Sequence, residues 1–289
     1  MSTFYYIERP KLHVCSRLFS CTEESYEKLK EKGKIMEDRK KLLFIIQKYR
    51  LLTLAMIAQL TGRDKEQLVK DLDALSEYGL LVKQFFEGLC EGENVRSETF
   101  YCAPPTLPQE MVNPDKKNEF VWSKDIRLAS AMSILSFNQF HIALLKNVPG
   151  KALQSQIAFM VRKVMVDGRY RLKGRRFFQG YSHMIVLSVR DFSEHNKAVA
   201  DKVLHIKESY SFGTEKMPWI VLLCENKEQC AHINLKLKQK NETAEMGVYF
   251  LLDTDIEFDE NPLHILQTYR YGNNGREIVS ETFRVEDWF

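Results

Sequence analysis

Along residues 40–80 the apolar positions recur at helical spacing. In KKLLFIIQKYR (40–50), Leu42, Leu43, Ile46 and Tyr49 form one stripe, which predicts an amphipathic helix. LAMIAQL (54–60) predicts a second, short helix with Thr53 in front as its N-cap. Gly62 supplies a turn, and Asp64 with Gln67 three residues later has the spacing of a capping box. The helix it opens carries Leu68, Leu72 and Leu75 at i, i+4 and i+7, a stripe that must be buried. Gly79 stands where a left-handed C-terminal cap is expected, with Leu80 and Leu81 folding back over the helix end. The pattern then becomes strand-like. LVKQFF (81–86) and SETFYCA (97–103) are β-rich and flank the Gly-containing loop EGLCEGENVR.

Three helices followed by a hairpin resemble the winged helix-turn-helix modules of bacteria, over residues 36–103. Residues 1–35 form an N-terminal extension in which TEESYEKLKEKGK reads as a solvated helix capped by Thr22. Four of the eight prolines fall in APPTLPQEMVNPDKKNE, at Pro104, Pro105, Pro108 and Pro114. Proline removes backbone donors and restrains its predecessor, so residues 104–118 read as a linker.

Residues 119–289 alternate between helical and strand patterns, which predicts an α/β (α+β) domain built on a sheet. DIRLASAMSILSF (125–137) predicts a helix, and KALQSQIAFMVRKVMV (151–166) starts helical and ends in a β-branched run. Asp167-Gly168 is a two-residue hairpin signal, and RYRLK (169–173) alternates as a half-buried strand. MIVLSV (184–189), WIVLLC (219–224) and GVYFLLD (247–253) are strands; residues 194–210 and 227–240 are helices between them. Asn261-Pro262 opens a last short helix.

With 44% hydrophobic and 28% charged residues in 289, the composition is that of a soluble globular protein. No apolar run approaches the roughly 20 residues of a membrane span, and the N-terminus lacks the signal-peptide pattern, so a cytoplasmic location is expected. The six cysteines include no C-x-x-C and no histidine at ligand spacing, which supports neither a zinc site nor a disulfide framework. No Gly-rich phosphate loop or nucleophile elbow is present, and no cofactor is expected. The net charge of +3 hides an asymmetry. Residues 162–176 carry Arg162, Lys163, Arg169, Arg171, Lys173, Arg175 and Arg176 against Asp167 alone, while DTDIEFDE (253–260) is acidic. A nucleic-acid footprint and a pair of ordinary solvated faces both fit this distribution.

From residue 151 to 253 the expected order is helix, strand, strand, strand, helix, strand, which resembles the PD-(D/E)xK restriction-endonuclease-like core. Those nucleases hold Mg²⁺ with an Asp on the second strand and an acidic-x-Lys pair on the third. Asp167 falls at the first place, whereas Ser188 stands for the second carboxylate and Arg190 for the Lys. These positions imply a degenerate site without a catalytic residue or metal, although Asp191 and Glu194 lie close enough to be recruited. Asp167 as the first residue of an Asp-Gly turn needs no metal. A winged helix joined to such a domain is similar to the replication–relaxation family of plasmids and other mobile elements. Ser193-Glu194 and ADKVLHIKESY match the family's third-strand exit and following helix, while Ser188 departs from its usual Glu. The resemblance implies a non-enzymatic DNA-binding protein acting in replication, relaxation, transfer or transcription control.

For DNA contact, Gln67 and Lys70 are placed to read base edges, and Arg63 and Lys65 to reach phosphates. Arg169, Arg171, Lys173, Arg175 and Arg176 form a second basic stretch. Against this, residues 63–78 hold three basic side chains and five acidic ones. Phosphate neutralisation dominates affinity, so the third helix alone is a poor DNA grip. Double-stranded DNA is the expected partner; a second copy of the chain, or a protein docked on the acidic module, is the alternative.

Overall fold

The computed structural model describes residues 11–14, 21–89, 95–104, 106–114, 128–161, 164–173, 181–190, 195–211, 217–241, 245–272 and 277–282. Among them the protein is mixed α/β, with seven α-helices, a small antiparallel sheet and a large mixed sheet. The chain divides into two compact units between Asn138 and Gln139.

In the N-terminal unit, strand β1 (Lys11–Val14) precedes helices α1 (Glu23–Glu31) and α2 (Glu37–Tyr49). A two-residue strand β2 (Leu52–Thr53) leads into α3 (Leu54–Thr61) and α4 (Lys65–Glu77), and then strands β3 (Val82–Leu89) and β4 (Val95–Cys102). The local signals act as expected. Thr22, Thr53 and Asp64 each accept hydrogen bonds from first-turn amides, which are otherwise orphan donors. Gly62 and Gly79 take φ of +66° and +70°, the left-handed turns that end α3 and follow α4. Leu42, Leu43, Ile46, Leu68, Leu72, Leu75 and Phe100 are fully or almost fully buried. β3 and β4 pair antiparallel from Val82↔Cys102 to Leu89↔Val95, β2 joins at Leu52↔Tyr101, and β1 joins at Lys11↔Glu87. The sheet order is β1-β3-β4-β2.

The proline-rich stretch read as a linker is fastened to this unit. The buried Gln47 side chain of α2 donates to Met111 O at 2.6 Å and accepts from Asn113 N–H at 2.9 Å. Glu110 accepts from Lys30 at 2.9 Å and from the Tyr26 hydroxyl at 3.2 Å, so α1 is tied down rather than simply solvated.

Helix α5 (Leu128–Asn147) contains the division between the units. In the C-terminal unit follow β5 (Leu153–Val161), β6 (Val164–Lys173), β7 (Tyr181–Ser188), α6 (His195–Ser211), β8 (Trp219–Cys224), α7 (Lys227–Lys240) and β9 (Val248–Leu252). Strands β10 (Gln267–Tyr271) and β11 (Ile278–Thr282) complete a seven-stranded sheet in the order β11-β10-β9-β8-β7-β6-β5. β5, β6 and β7 form an antiparallel meander; β7, β8 and β9 run parallel, joined through α6 and α7. Ile185, Leu187, Ile220, Leu222 and Phe250 pack with Val203 and Ile206 of α6 and Ile233 and Leu237 of α7. Phe140 and His141 of α5 lie against Tyr170 on β6.

Two expectations fail here. Residues 153–161 are strand, not helix. Leu153, Ile157 and Val161 recur every four residues, a spacing that serves a helix turn and a strand face equally, and pairing with β6 decides for the strand. Asp167-Gly168 is not a hairpin turn: both residues lie inside β6, and the β5–β6 register closes at Val161↔Val164. Gly168 is not among the glycines with positive φ, so the ladder asks nothing of it that an Asp-Gly turn would supply.

Candidate nucleic-acid interface

Helix α4 presents Lys65, Glu66, Gln67 and Lys70 to solvent, opposite the buried Leu68, Leu72 and Leu75. Of the five acidic side chains counted along the sequence, Asp64, Glu66 and Glu77 stay exposed, whereas Asp71 and Asp73 are engaged by cations. Asp71 is 2% exposed and is clamped between two helices and a turn: Arg39 Nε donates to Oδ1 at 2.9 Å and Arg63 Nη2 to Oδ2 at 2.5 Å. Burial alone would raise its pKa, but hydrogen bonds from Arg63 and Arg39, with their charge, outweigh this and hold the carboxyl below its usual range. Asp73 accepts from Lys83 of β3 at 2.8 Å. Asp64 is occupied in capping α4, accepting from Glu66 N–H at 2.9 Å and Gln67 N–H at 3.2 Å. Lys65, Gln67 and Lys70 are exposed, while Arg63 has an internal duty that competes with phosphate contact.

The second basic stretch lies on the meander of the large sheet. Along β6, Tyr170 and Leu172 are buried, whereas Arg171 and Lys173 are exposed and Arg169 is half-buried. The register sets Gln154 and Gln156 of the edge strand β5 opposite Arg171 and Arg169, and His183 of β7 opposite Arg171. The Arg169 guanidinium lies 3.3 Å from His183 Nδ1. Gln154, Gln156, Arg169, Arg171 and His183 line an open groove of about 540 Å³, and among the described residues its lining includes no carboxylate. Arg175 and Arg176 lie outside the described residues.

The positions matched to nuclease chemistry are partly brought together. Asp167 Oδ2 accepts the Ser188 N–H at 2.7 Å, bridging β6 to β7 through the main chain. The Ser188 hydroxyl is buried and makes no hydrogen bond among the described residues. Arg190, 5% exposed, follows the end of β7 and turns to the ends of the next two strands. It pairs with Asp253 after β9, itself 1% exposed, and with Glu225 after β8 at 3.3 Å. Burial pushes the guanidinium pKa down, and Glu225 offsets part of that. Ligands of parallel sheets generally bind at this edge. Here the three strand ends are joined by a buried ion cluster instead. Asp191 and Glu194 lie outside the described residues, and among the described residues no group of three or more His, Cys, Asp or Glu side chains could hold a metal ion.

Sequence reasoning missed Gln154, Gln156, His183, Glu225 and Asp253. The first three are brought beside Arg169 and Arg171 only by strand register, and the last two to Arg190 only by strand order. Among the described residues no helix is long and apolar enough to cross a membrane. No family model, curated protein or solved structure matches the chain.

Proposed function

We propose that this chain is a non-enzymatic nucleic-acid-binding protein in which the N-terminal unit is a winged helix and α4 is its recognition helix. The observation that carries this reading is the exposed pair Gln67 and Lys70, one turn apart, with Lys65 exposed at the start of the helix that precedes the β3–β4 hairpin. A winged helix places its recognition helix in the major groove, where Gln and Lys side chains bond base edges. Pairing of Asp71 with Arg39 and Arg63 and of Asp73 with Lys83 reduces the acidic excess on that helix, while Asp64, Glu66 and Glu77 stay exposed. The groove on β5–β7 is a second basic surface, separate from α4.

The C-terminal unit shares its helix and strand order with restriction-endonuclease-like domains, and it serves here as a binding scaffold rather than a catalyst. Arg190 in place of Lys is engaged by Asp253 and Glu225, and Ser188 offers a neutral hydroxyl where a metal needs a charged oxygen. Membership of the replication–relaxation family, in a mobile-element process, is part of the same proposal and rests on this element order. Fluorescence anisotropy with mixed-sequence duplex DNA between about 50 and 200 mM salt tests the binding role. Affinity that falls steeply with salt is expected. An absence of binding at the lowest salt turns the N-terminal unit into a docking module for protein.

A further inference from the structure

The groove across β5, β6 and β7 differs from α4 in what it can accept. Arg169, Arg171 and Lys173 sit at i, i+2 and i+4 on one strand, so their steps are about 6.7 Å apart, close to the spacing of neighbouring phosphates in an extended nucleic-acid strand. β5 is the edge of the sheet. Two residues along β7 from His183, Ile185 already enters the core beneath α6 and α7. The open polar surface is thus a shelf three strands wide, about 10 Å from β5 to β7, with helices covering the sheet beyond it. One extended strand matches that width along its whole length, whereas a double helix meets it with one backbone ridge only.

The lining chemistry agrees with that width. Two guanidinium groups provide planar donor forks for phosphate oxygens. Gln154 and Gln156, on the outer strand, each offer an amide donor and acceptor for the edges of unpaired bases. The His183 ring and the guanidinium planes are surfaces on which bases stack. When Nδ1 accepts from Arg169, the neutral His183 ring carries its proton on Nε2, which remains a donor.

We infer that this shelf binds single-stranded nucleic acid, with Arg169, Arg171 and Lys173 tracking three consecutive phosphates and Gln154 and Gln156 facing the bases. The inference rests on the nucleic-acid-binding reading above but assigns the shelf a ligand distinct from the duplex held by α4.

The test is anisotropy of labelled oligothymidylate and of a mixed duplex, measured in parallel on the full chain. Arg169→Ala with Arg171→Ala is expected to weaken oligothymidylate binding about tenfold and to flatten its salt slope by about 1.4, two contacts at 0.7 each. Duplex affinity should be unchanged. Gln154→Glu, which adds a carboxylate without removing a cation, should also weaken oligothymidylate binding and leave duplex binding alone. Should the double variant lose its circular-dichroism signature, Gln154→Glu decides. Oligothymidylate binding that is absent in the wild type, indifferent to these changes, or lost in parallel with duplex binding overturns the assignment. Lys65→Ala with Lys70→Ala separates the two ideas: if it spares duplex binding while the shelf variants still abolish oligothymidylate binding, the role of α4 fails and the shelf stands.

Discussion

Arg63, whose place before the third helix suggests a phosphate contact, instead donates to the buried carboxylate of Asp71 at 2.5 Å. Eight residues apart, the two close the turn between α3 and α4 onto the body of α4. Arg39 of α2 completes the clamp from the other side of the carboxylate. A residue counted as a repulsive surface charge is thus an internal tie between helices.

Asp71 should make stability of the N-terminal unit acid-sensitive. Its folded pKa lies below the unfolded carboxylate value of about 3.9, so its contribution is complete above that value and is lost as pH falls through the folded pKa. Asp71→Asn removes the charge and leaves two cations without their counter-ion, costing about 2–3 kcal/mol near neutrality. Thermal unfolding followed from pH 7 downward should show the wild type converging on the variant. Parallel curves across the whole range would contradict the clamp.

Arg190 and Asp253 form a pair whose halves cannot be removed singly. Arg190→Met leaves the Asp253 carboxylate buried without its main counter-charge and should cost about 3–5 kcal/mol. Adding Asp253→Leu should recover most of that loss. Chemical denaturation of the four species of the cycle measures it, and additive losses would show that the two side chains act independently.

On α4, Lys65→Ala with Lys70→Ala should weaken binding to all duplexes and flatten the salt slope by about 1.8, two contacts at 0.9 each. Gln67→Ala should alter the preference among sequences and leave the slope unchanged. A uniform loss for Gln67→Ala, with no change in preference, would place that side chain on the backbone rather than the bases.

Supercoiled and linear DNA incubated with Mg²⁺ or Mn²⁺ should remain intact. Asp167 holds the Ser188 amide, and Arg190 is committed to Asp253 and Glu225. Cleavage by the wild type that disappears in Asp167→Ala would overturn the non-catalytic assignment.

What the chain determines by itself is local. Thr22, Thr53 and Asp64 cap helices because their partners lie two or three residues away, and Gly62 and Gly79 turn because no tertiary contact is needed to favour their φ. WIVLLC and KEQCAHINLKLKQK were legible to the residue, since a six-residue apolar run suits a buried strand and the fourteen-residue segment after it has the length and the Cys230, Ile233, Leu237 spacing of a helix. The polar alternation of RYRLK likewise announced a basic strand face. Tertiary structure decided the rest. LQSQIAFMV satisfies helix and strand periods together, so its conformation waited on β6. QTYRY and IVSET flank a Gly-Asn-rich stretch and become an antiparallel pair at the sheet edge, which scattered glycines alone did not announce. Asp71 is neutralised partly by a residue 32 positions away, and Asp253 reaches Arg190 only because β7, β8 and β9 lie side by side. Charge along a sequence is a sum over neighbours in the chain, whereas the field at a surface is set by neighbours in space.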